Sequence, residues 1–237
     1  MTAWGDLIMG SLRTVERERT LRAADPVLAR HVLALKCWQH ARFEASFADL
    51  LASPRFGKAA QFFLDDLYGP GDFTQRDQQF ARVVPALARL FPDEVVKTVA
   101  SLAELHALAE ELDSEMGRGG GLLPIDPARY GAAWRRVGRA QDRERLVVVT
   151  LSVGSDLDSY TRRPLLRHSL RAMRGPARAA GLGALQSFLE TGFEIFRAMR
   201  GASEFLELIA RRERELAAGL FAGDDTMLAN LGMAPSP

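Results

Sequence analysis

The sequence predicts an all-α fold, a single multi-helix domain of about nine or ten helices, and three observations carry that expectation. Apolar residues recur at three- and four-residue spacing in nearly every segment. Clean period-two alternation bounded by hairpin turns is absent. Helix-opening pairs stand where new apolar stripes begin, at Asp25-Pro26, Ser53-Pro54 and Asp126-Pro127. No internal repeat of solenoid length is present.

The elements follow in order. Residues 1–24 read as a peripheral helix. Asp25 caps a helix whose first residue is Pro26 and which runs to Ala52. Ser53-Pro54 repeats the device and opens a helix carrying Phe62, Phe63, Leu67 and Tyr68, which Gly69-Pro70-Gly71 stops. Thr74 with Asp77 has the form of a capping box, and Pro85 is expected to kink the helix that it opens. Phe91-Pro92 ends that helix.

The next helix, 93–116, presents Val95, Val99, Leu102, Leu105, His106, Leu108, Ala109 and Leu112 on one face. Gly117 to Gly121 lacks the lysine and hydroxyl of a phosphate loop and reads as a turn. After Asp126-Pro127 comes a short helix with Tyr130 and Trp134. The β-branched run Leu146 to Val153 has strand propensity, but a lone strand leaves its backbone unpaired, so it reads as a fully buried helix. A helix from Pro164 is broken at Gly175-Pro176. Leu185 to Met199 and Phe205 to Leu220 form a C-terminal α-hairpin turned at Gly201 and Ser203. Residues 1–222 make the domain, and 223–237 read as a disordered tail.

Composition narrows the function classes. The 237 residues are 47% hydrophobic and 26% charged, the mix of a chain that folds. Lysine plus arginine number 31 against 30 acidic residues, so no global field steers the chain to nucleic acid, which is disfavoured as a partner. Cys37 is alone, which excludes an intramolecular disulfide, and it reads as a small buried hydrophobe. Asp6 interrupts the N-terminal region where an export signal needs an apolar run, and the apolar stretch 146–155 is about half the ~20 residues of a membrane span. A cytoplasmic location without membrane insertion is expected.

Four histidines are the main candidate ligands. His40 and Glu44 are four apart, as are His106 and Glu110, so each pair projects from one helical face and two such faces could hold a metal. The Glu-x-x-His motif of di-metal bundles is absent. Arg162, Arg163, Arg167, Arg171, Arg174 and Arg178 accumulate where no acidic residue falls between Ser159 and Leu189. Arg163, Arg167, Arg171, Arg174 and Arg178 form a stripe suited to an anionic ligand or an acidic partner protein, with His168 beside it. The competing expectation pairs the stripe with the acidic helix that carries Glu110, Glu111, Asp113 and Glu115. Asp65, Asp66 and Asp72 flank the Gly-Pro-Gly break, where acids commonly serve turns.

The stretch Leu102-Ala-Glu-Leu-His-Ala-Leu-Ala109, followed by Ile125-Asp-Pro-Ala-Arg-Tyr130, resembles the region of the proximal histidine in globins. That resemblance implies haem ligated through His106, with Phe62 or Phe63 against the porphyrin and Gln78 or Gln79 over the distal side. It covers Ala29 to Arg163 only, and the connection after His106 is longer than globins have. A second resemblance spans Leu35 to Phe221. Phe62-Phe-Leu-Asp-Asp-Leu-Tyr-Gly-Pro70, Arg76-Asp77, Leu105-His-Ala-Leu-Ala and Gly192-Phe-Glu-Ile-Phe together resemble an uncharacterised family of proteobacterial helical proteins. It implies a bacterial cytosolic source and an all-α fold, with no activity to carry over.

Three readings of function remain at this level. They are a non-catalytic regulatory or protein-interaction module, a globin-like haem protein for gas or redox sensing, and a metal-dependent helical-bundle enzyme. An apolar stripe on the C-terminal helices is compatible with a homodimer, and core burial accounts for the same residues.

Overall fold

Asp25 and Asp126 do what their positions before proline predict. Asp25 accepts from the backbone N–H of Val27 and Leu28 at 3.0 and 3.1 Å, and Asp126 accepts from that of Arg129 at 2.8 Å. The computed structural model describes residues 3–67, 69, 71, 73–90 and 92–233, and among them helices alternate only with turns. In chain order these are α1 (Ala3–Ala24), α2 (Pro26–Ser46), α3 (Ala48–Leu51), α4 (Gly57–Phe62), a π-helical turn (Phe63–Leu67), α5 (Thr74–Leu90) and α6 (Asp93–Arg118). There follow α7 (Pro127–Val137), α8 (Ala140–Thr161), α9 (Pro164–Ala172), α10 (Arg174–Ala179), α11 (Gly183–Met199), α12 (Ser203–Ala222) and α13 (Thr226–Ala229). The chain is a single all-α domain, and no helix among the described residues is long and apolar enough to cross a membrane.

The architecture is built around α6, which packs against α1, α2, α5, α7 and α8. A helix with neighbours on most sides cannot keep one polar stripe. Val95 and Val99, expected on the apolar face, are only half-buried, whereas Val96, Thr98, Ala100, Glu110, Ser114 and Met116 are buried. Gly117 lets α2 pass close: a Cβ there would lie 2.7 Å from Val32 Cγ2 and 3.2 Å from Leu28 Cδ1. Two of the apolar clusters differ in character. Phe43, Phe47, Phe56, Phe62, Phe63, Phe196 and Phe205 make one aromatic cluster, while Trp38, Ile125, Tyr130, Trp134, Leu216 and Leu220 make another beneath α7.

Several expectations are corrected. The first helix is not peripheral, because α1 packs along α6 with Ile8 and Val15 buried. The helix from Pro26 stops at Ser46, and Phe47, at φ −122°, separates it from α3. Ser53 caps a turn, accepting from the Arg55 and Phe56 N–H groups, and α4 starts only at Gly57. Leu146 to Val153 is helical but not fully buried: Val149 and Val153 face inwards, and Val148 is 43% exposed.

The helix from Pro164 ends at Ala172, and Gly175-Pro176 lies inside the first turn of α10 instead of breaking a helix. Ser203 makes no cap for α12, and beyond the turn at 200–202 both α11 and α12 lean on α8. Residues 223–233 are not a loose tail, since α13 seats a fully buried Leu228 under α7, although 234–237 lie outside the described residues. Cys37 is exposed. Tyr68, Pro70, Asp72 and Phe91 also lie outside the described residues.

Candidate functional site

Where α2, α6, α7, α8 and α12 converge, they border a partly open cavity of about 170 Å³. Each of three helices contributes residues spaced by three or four: Lys36, Gln39, His40 and Phe43 from α2, His106, Ala109, Glu110 and Asp113 from α6, and Arg143, Leu146, Val147 and Thr150 from α8. The π-helical turn supplies Phe63 and Leu64, and α12 supplies Ile209, Ala210 and Glu213. A π turn inserts one extra residue per turn, which re-aims side chains and recurs at functional sites. Most of the wall is therefore apolar, with a few polar groups converging on it, which is the make-up of a small-molecule pocket.

The ionic groups lining the cavity are largely neutralised by one another. Glu110, 4% exposed, takes hydrogen bonds from Lys36 Nζ at 2.6 Å and from Arg22. Burial works to raise its carboxyl, but the Lys36 and Arg22 charges outweigh that and hold it at about 2. Arg42 is paired with Glu213. Asp113 accepts from Gln39 at 3.2 Å, and burial pushes its carboxyl up.

Arg143 is different. It is 7% exposed, its guanidinium carbon lies 3.6 Å from the centroid of the Trp134 ring, and its one hydrogen bond among the described residues is Nη2 to Met116 Sδ at 3.3 Å, a weak acceptor. Its Nε and the Trp134 Nε1 are buried without a hydrogen-bond partner among the described residues. Burial pushes the Arg143 guanidinium downwards from its ordinary value.

The residues expected to hold haem are only partly together. His106 lines the cavity, but its Nε2 pairs with Asp77 Oδ2 at 3.0 Å, and Asp77 also accepts from Arg19 at 2.7 Å. Burial tends to raise Asp77, yet the hydrogen bonds and charges of His106 and Arg19 hold it at about 2. His106 and Ala109 separate the central cavity from a second one of about 110 Å³ walled by Phe80, Leu102 and Phe188. Phe63 reaches the central cavity, whereas Phe62 is stacked on Phe188. Gln78 is exposed, and Gln79 is buried with its Oε1 accepting from the Leu185 N–H at the start of α11. The distal position is thus spent on a helix end.

The metal set fares similarly. His40 bonds Asp65 at 3.3 Å, Glu44 is exposed, and Glu110 is consumed by its two cations, so His40, Glu44, His106 and Glu110 do not converge. Among the described residues no three His, Cys, Asp or Glu side chains are placed to hold a metal ion.

The arginine stripe is paired within the chain, but not with the helix expected. Arg163 pairs with Glu94, Arg167 and Arg171 share Glu194 at 2.9 and 3.1 Å, and Arg174 grips Glu190 at 2.7 Å. Arg178 and His168 are exposed. Glu111 and Glu115 pair instead with Arg17 at 2.8 Å and Arg139 at 2.7 Å.

Arg143 is the functional candidate that sequence reasoning passed over. It stands in Asp142-Arg-Glu-Arg145, where one charge looks like the next, yet it sits three, four and seven residues before Leu146, Val147 and Thr150, on the face that lines the cavity.

No curated protein and no solved structure matches the chain. A family model described as a domain of unknown function, DUF8198, matches residues 18–227, which takes in all the helices that wall the central cavity. The chain belongs to that family.

Proposed function

We propose that the protein is a cytoplasmic regulatory module that responds to a small organic molecule bound in the central cavity. The observation that carries this reading is the cavity itself, an apolar chamber of about 170 Å³ at the junction of five helices, with buried polar groups on its wall. Phe63, Leu64 and Gly69, from the run Phe62–Pro70, line it, which supports a role for that run beyond packing. Most of the ionic groups around it are paired within the chain, Lys36 with Glu110 and Arg42 with Glu213, an arrangement that fits holding a ligand better than attacking one. An occupant touching α2, α6, α8 and α12 together would change how these helices press on one another, and differential affinity for two packings is what a regulatory ligand needs.

The test is thermal unfolding of the full chain against a metabolite library, run beside Val147→Phe, which places a ring in the chamber. A ligand that binds the folded state raises the unfolding temperature by mass action. Compounds that stabilise the wild type and not Val147→Phe support the reading. A library without effect on the wild type overturns it.

A further inference from the structure

Resting on the reading of the cavity as a ligand site, we propose that its ligand is a small monocarboxylate with an apolar body, the carboxylate bound by Arg143 and the Trp134 indole N–H.

The first argument is the sign of what is unsatisfied. Buried polar groups are ordinarily hydrogen-bonded. The side-chain atoms of Trp134 and Arg143 that lack a partner are both N–H donors. What completes them is an acceptor. A thioether is the only acceptor that the Arg143 guanidinium meets among the described residues, and a weak one, so its planar fork is available to a carboxylate.

The second argument is charge. Arg22 and Lys36 face Glu110 and, through Lys36 Nζ at 4.0 Å, Asp113, and Arg42 faces Glu213, whereas Arg143 appears in no ion pair among the described residues. One unneutralised cation calls for one negative charge, so a dianion such as a phosphate monoester is disfavoured beside Glu110, Asp113 and Glu213.

The third argument is size. An apolar chamber of about 150 Å³ takes benzene. A chamber of about 170 Å³ walled by Phe43, Leu64, Leu146 and Ile209 suits a body of that order plus one polar head.

The experiment is calorimetric titration of the full chain with phenylacetate, phenylacetamide and benzylamine, which share a body and differ in charge. Charge-assisted hydrogen bonds are about twice as strong as neutral ones, so phenylacetate is expected to bind about tenfold tighter than the amide or more. In Arg143→Met that preference is expected to vanish while the helical dichroism is kept. Should Arg143→Met fail to fold, Trp134→Phe, which removes the indole N–H together with its five-membered ring, is expected to weaken phenylacetate more than the amide. Equal binding of acid and amide, tighter binding of benzylamine, or a carboxylate preference that survives Arg143→Met overturns the carboxylate assignment and leaves the cavity reading standing. Failure of all three to bind at about 10 mM, while library compounds stabilise the wild type, also overturns the assignment alone. Failure of every compound removes both.

Discussion

Replacing Glu110 by glutamine tests how the centre of the domain is held together. Glu110 sits where α1, α2 and α6 meet, buried, with Arg22 and Lys36 on its two oxygens. Its carboxyl ionises at about 2 in the fold against an ordinary 4.5. At about 1.4 kcal/mol per pH unit, that gap corresponds to about 3 kcal/mol of stability carried by the ionised form. The folded value is depressed, so this contribution is complete above the ordinary carboxylate value and is lost as the pH falls through 4.5 towards about 2.

Glutamine keeps the shape but leaves two cations facing a neutral amide, and removing one partner of a buried ion pair ordinarily costs about 3–5 kcal/mol. Glu110→Gln is therefore expected to lower unfolding stability by about 3 kcal/mol at neutral pH, a large part of the 5–15 kcal/mol that a domain has. The difference from wild type should shrink towards zero near pH 2. Urea unfolding of both proteins across that range measures it. A loss below about 1 kcal/mol at neutral pH, or one of the same size in acid, would refute the reasoning.

Three further substitutions probe other joints. Gly117→Ala should destabilise by about 1–2 kcal/mol despite alanine's better helix propensity, because the new methyl meets the stiff Val32 side chain; a gain in melting temperature would show that α2 can move aside. Leu228→Ala should cost about 2–5 kcal/mol by chemical denaturation, and a truncation after residue 222 that leaves stability unchanged would contradict the seating of α13. Gln79→Ala should cost about 1–3 kcal/mol and speed amide exchange at Leu185 specifically; unchanged exchange there would show that the side chain does not hold the start of α11.

The helices were legible because their signals are local. A capping aspartate before proline acts within one turn, and Asp25 and Asp126 act as read. What the sequence could not show is which side of a helix faces a neighbour when neighbours lie all round. In α6 the three- and four-residue spacing marks a stripe, yet Thr98, Glu110 and Ser114 are also buried, and the groups that make this tolerable come from distant segments such as Arg22 and Lys36. Glu110 four residues after His106 reads as half of a ligand pair on one helical face for the same reason.

The short α13 carries too few residues to show a period, so Leu228 gave no sign of burial. The site was half legible. His40, Phe63, His106 and Glu110 do border the central cavity, whereas Phe62, Gln78 and Gln79 serve packing, solvent and a helix end. Arg143 was recoverable from its register with Leu146 and Thr150, but a charge inside a charge-rich run is ordinarily a solvated one.

The carboxylate assignment meets its most direct test in the indole N–H resonances of Trp4, Trp38 and Trp134 as phenylacetate is added to the isotopically labelled chain. The account predicts a large, saturable displacement of the Trp134 signal, with Trp4, packed beside Ile8 and Val84 in another cluster, unmoved. A Trp134 signal that stays in place at saturating concentration, or a Trp4 signal that moves instead, would contradict it.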